Sequence, residues 1–161
     1  MKKLIYFVFL LFTSNSLISQ TLEITTQADK TDILTGESIL YTLKYKCAST
    51  TTNCTKVSIE ANIPSGIKFN GAVIGLTSDI ASYSYSNNNK TVTFIFKEPL
   101  IAGNTGIIEI TGIGDLGLQN GTVATMTASI FSDGNLASSD FENTTLHSYD
   151  GFVRNYIHLL V

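Results

Sequence analysis

The sequence predicts an all-β fold, and three observations carry that prediction. Seven segments alternate apolar and polar residues with period 2, and clusters of Gly, Asn, Asp and Pro separate them at short intervals. Past the N-terminal region, no segment longer than ten residues carries an apolar stripe with a 3.6-residue repeat. Strands apolar on one face only belong to antiparallel sheets with one buried and one wet face, which means a sandwich or a barrel.

The elements follow in chain order. "MKKLIYFVFLLFTSNSLISQ" opens with Lys2 and Lys3, continues through an apolar run from Leu4 to Phe12 and ends in a small polar stretch. This is the pattern of a secretory signal peptide, and the run is too short for a membrane span, which needs about 20 apolar residues. Cleavage is expected after Ser19, leaving Gln20 first, with Ser16 as the second choice. No Cys lies near the cut, which argues against a lipid-anchored start. The whole chain has a net charge of −3, and losing Lys2 and Lys3 leaves eight basic residues against thirteen acidic ones. Such a chain lacks the basic footprint that nucleic acid requires.

"LEITTQA" reads as the opening strand. In "SILYTLKYK", Ile39, Tyr41, Leu43 and Tyr45 share one face, with Ser38, Thr42, Lys44 and Lys46 opposite. "KVSIEA" sets Val57, Ile59 and Ala61 against Lys56, Ser58 and Glu60, and a shorter strand runs from Ile80 to Tyr85. "TVTFIFK" turns Val92, Phe94 and Phe96 inward, and "GIIEIT" does so with Ile108 and Ile110. "TVATMTASIF" places Ala124, Met126, Ala128 and Ile130 on one face.

Cys47 and Cys54, the only cysteines, bracket the segment "CASTTTNC". In an exported chain this reads as a disulfide, because a zinc site would need further Cys or His nearby. "ITGIGDLGLQNG" contains the spacing Gly112-x-Gly114-x-x-Gly117 of a dinucleotide-binding turn. That motif works only where a helix opens behind the glycines. Here the alternating "TVATMTASIF" follows, so the glycines are expected to serve an irregular connection.

With these strands placed, four stretches resemble the conserved repeat domain of bacterial cell-surface proteins. Gly36-Glu37 followed by Ile39, Tyr41 and Leu43 resembles that family's "G-D/E-x-V-x-Y-x-I" strand, and Ile63 to Ile67 its "L-P-x-G-L" turn. Gly106 to Gly112 resembles its "G-x-I-x-I-x-G" strand, and Gly121 to Ile130 its closing strand. The match covers roughly residues 22–132. Ala61 and Met126 stand where the family often has Asp and Asn. The resemblance implies an Ig-like antiparallel β-sandwich of about seven to nine strands, in a class of non-enzymatic spacers or adhesive modules.

Candidate sites are few. His147 and His158, with the only arginine, Arg154, lie in the tail, and no nucleophile, base and orienting group cluster in the sequence. Surface modules of the pilin kind cross-link a Lys to an Asn beside a buried carboxylate. Lys30 and Asn143 with Glu60 or Glu109 are the candidates, but Lys44, Glu60 and Glu109 fall on outward faces. "DKTD" (Asp29, Asp32) and "SDGNLASSD" (Asp133, Asn135, Asp140) offer oxygen ligands without the spacing of a calcium loop. Asn53, Asn89, Asn120 and Asn143 head Asn-x-Ser/Thr triplets that read as turn asparagines in a bacterial chain. With no Trp present, Tyr83 and Tyr85 in "SYSYSNNNK" are the candidate ligand platform for a sugar, competing with the reading of two half-buried strand tyrosines.

The expectation is therefore a signal peptide over residues 1–19, an Ig-like β-sandwich over 20–132 and a C-terminal extension over 133–161. It is a secreted or cell-surface structural or adhesive module rather than an enzyme, with a carbohydrate- or small-ligand-binding domain as the alternative. No cofactor and no metal are called for. The expected partners are other surface-protein modules or an extracellular glycan or protein, with no nucleic acid and no transmembrane segment after cleavage.

Overall fold

A computed structural model describes residues 21–73 and 79–148. Its elements are β1 (Leu22–Ala28), β2 (Asp32–Leu34), β3 (Ser38–Cys47), β4 (Val57–Asn62), β5 (Ile67–Val73), β6 (Ile80–Ser86), β7 (Thr91–Phe96), β8 (Thr105–Gly114), β9 (Thr122–Ser132) and β10 (Asn135–His147). They form a four-stranded sheet in the order β1-β3-β8-β5 and a six-stranded sheet in the order β2-β10-β9-β4-β7-β6. The two sheets face each other as a β-sandwich, and no helix occurs among the described residues.

Alternation sets which side chains meet between the sheets. β3 buries Ile39, Tyr41, Leu43 and Tyr45, β8 contributes Ile108 and Ile110, and β4, β7 and β9 oppose them with Ile59, Val92, Phe94, Met126 and Ile130. Ala61 and Met126, standing where the family often has polar residues, are completely buried in this core. Tyr45 and Phe96 lock the two sheets edge to face, with ring centroids 4.7 Å apart.

Ten strands exceed the seven to nine expected, and each of the three that the sequence pattern hides has a physical reason. β2 is three residues long and pairs in parallel with the end of β10, from Asp32↔Thr145 to Leu34↔His147. β5 shifts register between Phe69 and Gly71, a bulge that breaks the period after two inward residues. β10 pairs with β9 from Asn135↔Ser132 to Leu146↔Thr122, so the sheet continues past the boundary that composition places at residue 132. Its inward positions include Ser138, Asp140, Glu142 and Thr144, each opposite a core residue of β9. The strand hides because it runs along the flank of the sandwich, where polar inward residues face β1 and, at Thr144, the Tyr41 hydroxyl of β3 3.4 Å away. There the Asp140 carboxylate accepts the Thr26 N–H at 2.7 Å, capping a backbone donor of an edge strand.

Cys47 and Cys54 form a disulfide with Cα atoms 6.0 Å apart. Both cysteines are completely buried, and Cys54 exchanges two backbone hydrogen bonds with Leu100. The bridge is thus part of the core and not a surface staple beside it.

Gly112 and Gly114 lie on the inward face of β8, which corrects their assignment to an irregular connection. A Cβ on Gly112 would come within 2.4 Å of Ile67 Cγ2, and one on Gly114 within 3.1 Å of Leu146 Cδ2 and the Leu34 carbonyl. Of the three, Gly117 alone needs the left-handed backbone, with φ of 83°. The spacing that imitates a dinucleotide turn comes from two close-packed strand glycines followed by a turn glycine.

Candidate functional site: the open edge beside Tyr85

β6 is an edge strand, and its pairing with β7 decides where its tyrosines go. Tyr83 is opposite Phe94 and Tyr85 opposite Val92, both buried residues. The tyrosines therefore share the inward-facing side, at the flank where the four-stranded sheet ends at β5. Tyr83 lies on Phe94 with centroids 5.7 Å apart, and Tyr85 stacks on Phe69 of β5 at 4.3 Å. Tyr83 keeps 42% of its surface exposed, whereas Tyr85 is half-buried.

A pocket of about 330 Å³ opens beside the Phe69–Tyr85 stack, lined also by Ile67, Lys68, Asn87, Lys90 and Asp115. Three segments build it: β5, the β6–β7 turn and the turn after β8. Each segment is fastened by backbone hydrogen bonds. Lys90 sits at φ of 51° while its carbonyl accepts the Ile63 N–H at 2.7 Å, and Asp115 N–H donates to the Gly66 carbonyl at 2.8 Å. Sequence reasoning reached Tyr85 but not Phe69, Lys68, Lys90, Asn87 or Asp115. The "SNNNK" turn beside the tyrosines was the available signal, and β5 was invisible to it.

A second depression, about 500 Å³, lies on the outer face of the four-stranded sheet. Ile107 lines it together with Lys44, Lys46, Glu23, Thr25 and Thr105.

The remaining candidate residues serve as fasteners or stand apart. Lys30 contacts Glu37 at 2.6 Å, and Glu37 also accepts the Leu34 N–H at 3.0 Å. Asn143 instead accepts a hydrogen bond from Thr125 on the surface of β9, so the structure does not bring Lys30, Asn143 and a buried acid together. Asp29 accepts the Leu40 N–H, Asp32 meets the Nε2 atom of His147 at 3.0 Å, and Asp133 pairs with Lys56. Asn135 donates to the Asp133 carbonyl. Among the described residues no three Asp, Glu, His or Cys side chains gather as a metal site. Asn53 and Asn120 accept backbone N–H groups from Ala102 and Ser148, as turn asparagines do. The expected signal segment, His158 and Arg154 lie outside the described residues.

No protein-family profile and no curated protein match the sequence. Solved structures do share the fold. A chain of a type I cohesin–dockerin complex from Clostridium thermocellum aligns with a TM-score of 0.59 at 12% identity, over 81% of this chain and 96% of that one. The N-terminal domain of the Streptococcus gordonii adhesin Sgo0707 gives 0.60 at 10% identity, over 78% of this chain and 32% of the other. BcpA, the major pilin subunit of Bacillus cereus, gives 0.60 at 10% identity, over 79% and 40%. An enzyme is similar as well: AvmM, which catalyses macrocyclization in alchivemycin A biosynthesis, gives 0.52 at 10% identity over 80% of this chain and 90% of that one. At such identities the likeness is one of fold, and a fold alone assigns no chemistry.

Proposed function

We propose that the chain is an exported, non-catalytic β-sandwich module with a structural or adhesive role at the cell surface. The observation that carries this reading is how the chemistry-bearing side chains are used. Glu37, Asp29, Asp140 and the Asp32–His147 pair each tie one strand or turn to another instead of converging on a common point. The likeness to adhesin, pilin and cohesin–dockerin structures supports it, as do the N-terminal apolar run and the buried disulfide. The test is retention: beads coated with the mature chain should bind an extracellular glycan or protein surface saturably, and beads coated with unfolded chain should not. Turnover of a substrate in a hydrolase, lyase and transferase screen would overturn the non-catalytic reading.

The pocket beside Tyr85 favours a second reading, a carbohydrate- or small-ligand-binding domain. Its signature would be saturable binding of a free small molecule without any multivalent surface.

A further inference from the structure

We propose that β6 is a self-association edge: two copies of the chain pair their β6 strands antiparallel across a two-fold axis at Ser84, joining their six-stranded sheets into one. The contact goes beyond the structural or adhesive role and depends on no ligand.

Each sheet ends in two edge strands, β1 and β5 in one, β2 and β6 in the other. Open edges invite pairing with another chain, and charges, bulges, short length or a covering group normally blunt them. Three of the four are blunted in this way. The Thr26 N–H of β1 is taken by the Asp140 carboxylate, β2 is three residues long, and β5 carries Lys68 and a bulge between Phe69 and Gly71. β6, "IASYSYS", has no charge, no Pro and no Gly, and its register shift falls at its start, between Ile80 and Ser82. No strand among the described residues pairs with its outer edge.

Two separate features of β6 select a second copy as the occupant. The first is its sequence. Residues 82–86 read Ser-Tyr-Ser-Tyr-Ser in either direction. An antiparallel pairing centred on Ser84 therefore sets Ser84 against itself, Tyr83 against Tyr85 of the second copy, and Ser82 against its Ser86. The second feature is the phase of the hydrogen bonds. The Lys90 carbonyl accepts from Ile63, just past β4, and the Lys97 N–H donates to the Asp79 carbonyl, just ahead of β6. Along β7 the even residues thus bond towards β4 and the odd ones towards β6. Ser82, Ser84 and Ser86, opposite Ile95, Thr93 and Thr91, direct their backbone groups to β7, and those of Tyr83 and Tyr85 point to the open edge. The two-fold brings these free groups together. Tyr83 and Tyr85 of the second copy become a hydrogen-bonded pair, exchanging N–H···O bonds in both directions on each side of the axis.

Side chains and charge suit the same arrangement. Tyr83, 42% exposed with its ring on Phe94, gains a cross-strand aromatic neighbour in Tyr85, which is itself stacked on Phe69. The strand is neutral, and the two-fold sends the turns that hold Lys90 to opposite ends of the strand pair, so like charges do not meet. One strand pair is small against the ~1,200 Å² of a standard interface, so association is reversible, with a dissociation constant on the order of 100 µM.

The test is sedimentation equilibrium of the full mature chain from about 5 µM to about 1 mM, where a monomer–dimer equilibrium is expected. Ser84→Lys sets two ammonium groups face to face on the axis, from an exposed position, and should weaken the dimer at least tenfold. Ser139→Lys, exposed on β10 of the same sheet, is the control and should leave the dimer unchanged, with melting curves to check that both variants fold. Ser84→Cys should give a disulfide-linked dimer on air oxidation, because a non-hydrogen-bonded antiparallel pair holds its Cα atoms about 4.5 Å apart, within disulfide range. Ser82→Cys alone should not link, since Ser86 lies opposite it, whereas a mixture of Ser82→Cys and Ser86→Cys chains should link to each other. A monomer at about 1 mM, equal effects of the two lysine variants, or linkage of Ser82→Cys as ready as that of Ser84→Cys overturns the proposal. So does capture of a foreign extended peptide at β6 by a chain that stays monomeric.

Discussion

At Glu37 one carboxylate holds both the Lys30 ammonium and the Leu34 N–H, closing the turn between β2 and β3. Those bonds, Lys30 first, hold the Glu37 carboxyl below its ordinary value of 4.5, and the bond to Glu37 raises Lys30 above 10.5. A carboxyl depressed in the folded state stabilises the fold above its unfolded value and loses that contribution as pH falls through the folded one. A raised lysine contributes below 10.5 and loses its part as pH rises through its folded value. Asp32, depressed chiefly by its bond to His147, adds to the acid-side loss. Glu37→Gln should therefore lower the melting temperature at pH 7, modestly because the pair is exposed and screened, and leave it little changed in acid, so that the fall below about pH 4.5 is shallower. Melting curves from pH 2.5 to 7 check this, and an unchanged acid slope would refute the Glu37 account. Gly112 makes a different residue-scale point, because its constraint is a neighbour and not a backbone angle. Gly112→Ala places a methyl within 2.4 Å of Ile67 Cγ2, so it should cost about 1–3 kcal/mol as overpacking. Combined with Ile67→Ala, the loss measured in urea should be clearly less than the sum of the two single changes.

The disulfide and β10 carry the predictions that belong to whole elements. Closing the loop from Cys47 to Cys54, a separation of seven residues, constrains the unfolded chain by about 2.5 kcal/mol in the chain-entropy estimate. Both sulfurs are also buried, so replacing them leaves a packing defect in addition to the lost constraint. Reduction should lower the melting temperature by several degrees. Cys47→Ser with Cys54→Ser should lower it further, since two hydroxyls would then sit in the core. Thiol titration of the native protein provides the check, and two reactive thiols per chain would refute the bridge. β10 pairs along one edge of β9 and carries in its last pair Leu146, which is completely buried and reaches Gly66 and Gly114. A chain stopped at Ser132 should fail to unfold cooperatively in urea, whereas one stopped at Ser148 should do so. Leu146→Ala in the full chain should cost about 2–5 kcal/mol.

For the whole molecule, the sheet order sets the folding behaviour. β10 must find β2 across more than a hundred residues, as Thr145↔Asp32 shows, and β1 must find β3 before the core closes. Non-local pairing of this kind places folding in the millisecond-to-second range, and stopped-flow refolding of the disulfide-intact chain should show it. A fold complete within about 100 µs would contradict that dependence on long-range pairing. The proposed export is the other expectation that belongs to the whole chain. Intact-mass analysis of secreted material should begin at Gln20, and retained Met1 would refute the reading of the first nineteen residues.

The sequence by itself determined the class of fold and most of its strands. A half-buried strand writes its environment into successive residues, so "SILYTLKYK" and "TVATMTASIF" announce their inward faces without any partner. It also showed that Cys47 and Cys54 were placed to pair, since few residues separate them. Tertiary structure alone decided what depends on position within the sheets. β10 is polar on its inward side because it lies at the flank, β5 loses its period at a bulge, and Gly112 is small because Ile67 stands opposite. The pocket follows the same rule: Tyr85 was visible within a strand, but Phe69 and Asp115 join it only because β5 and the turn after β8 come to that flank of the sandwich. Periodicity records what each residue faces, and it carries no record of which distant residue comes to face it.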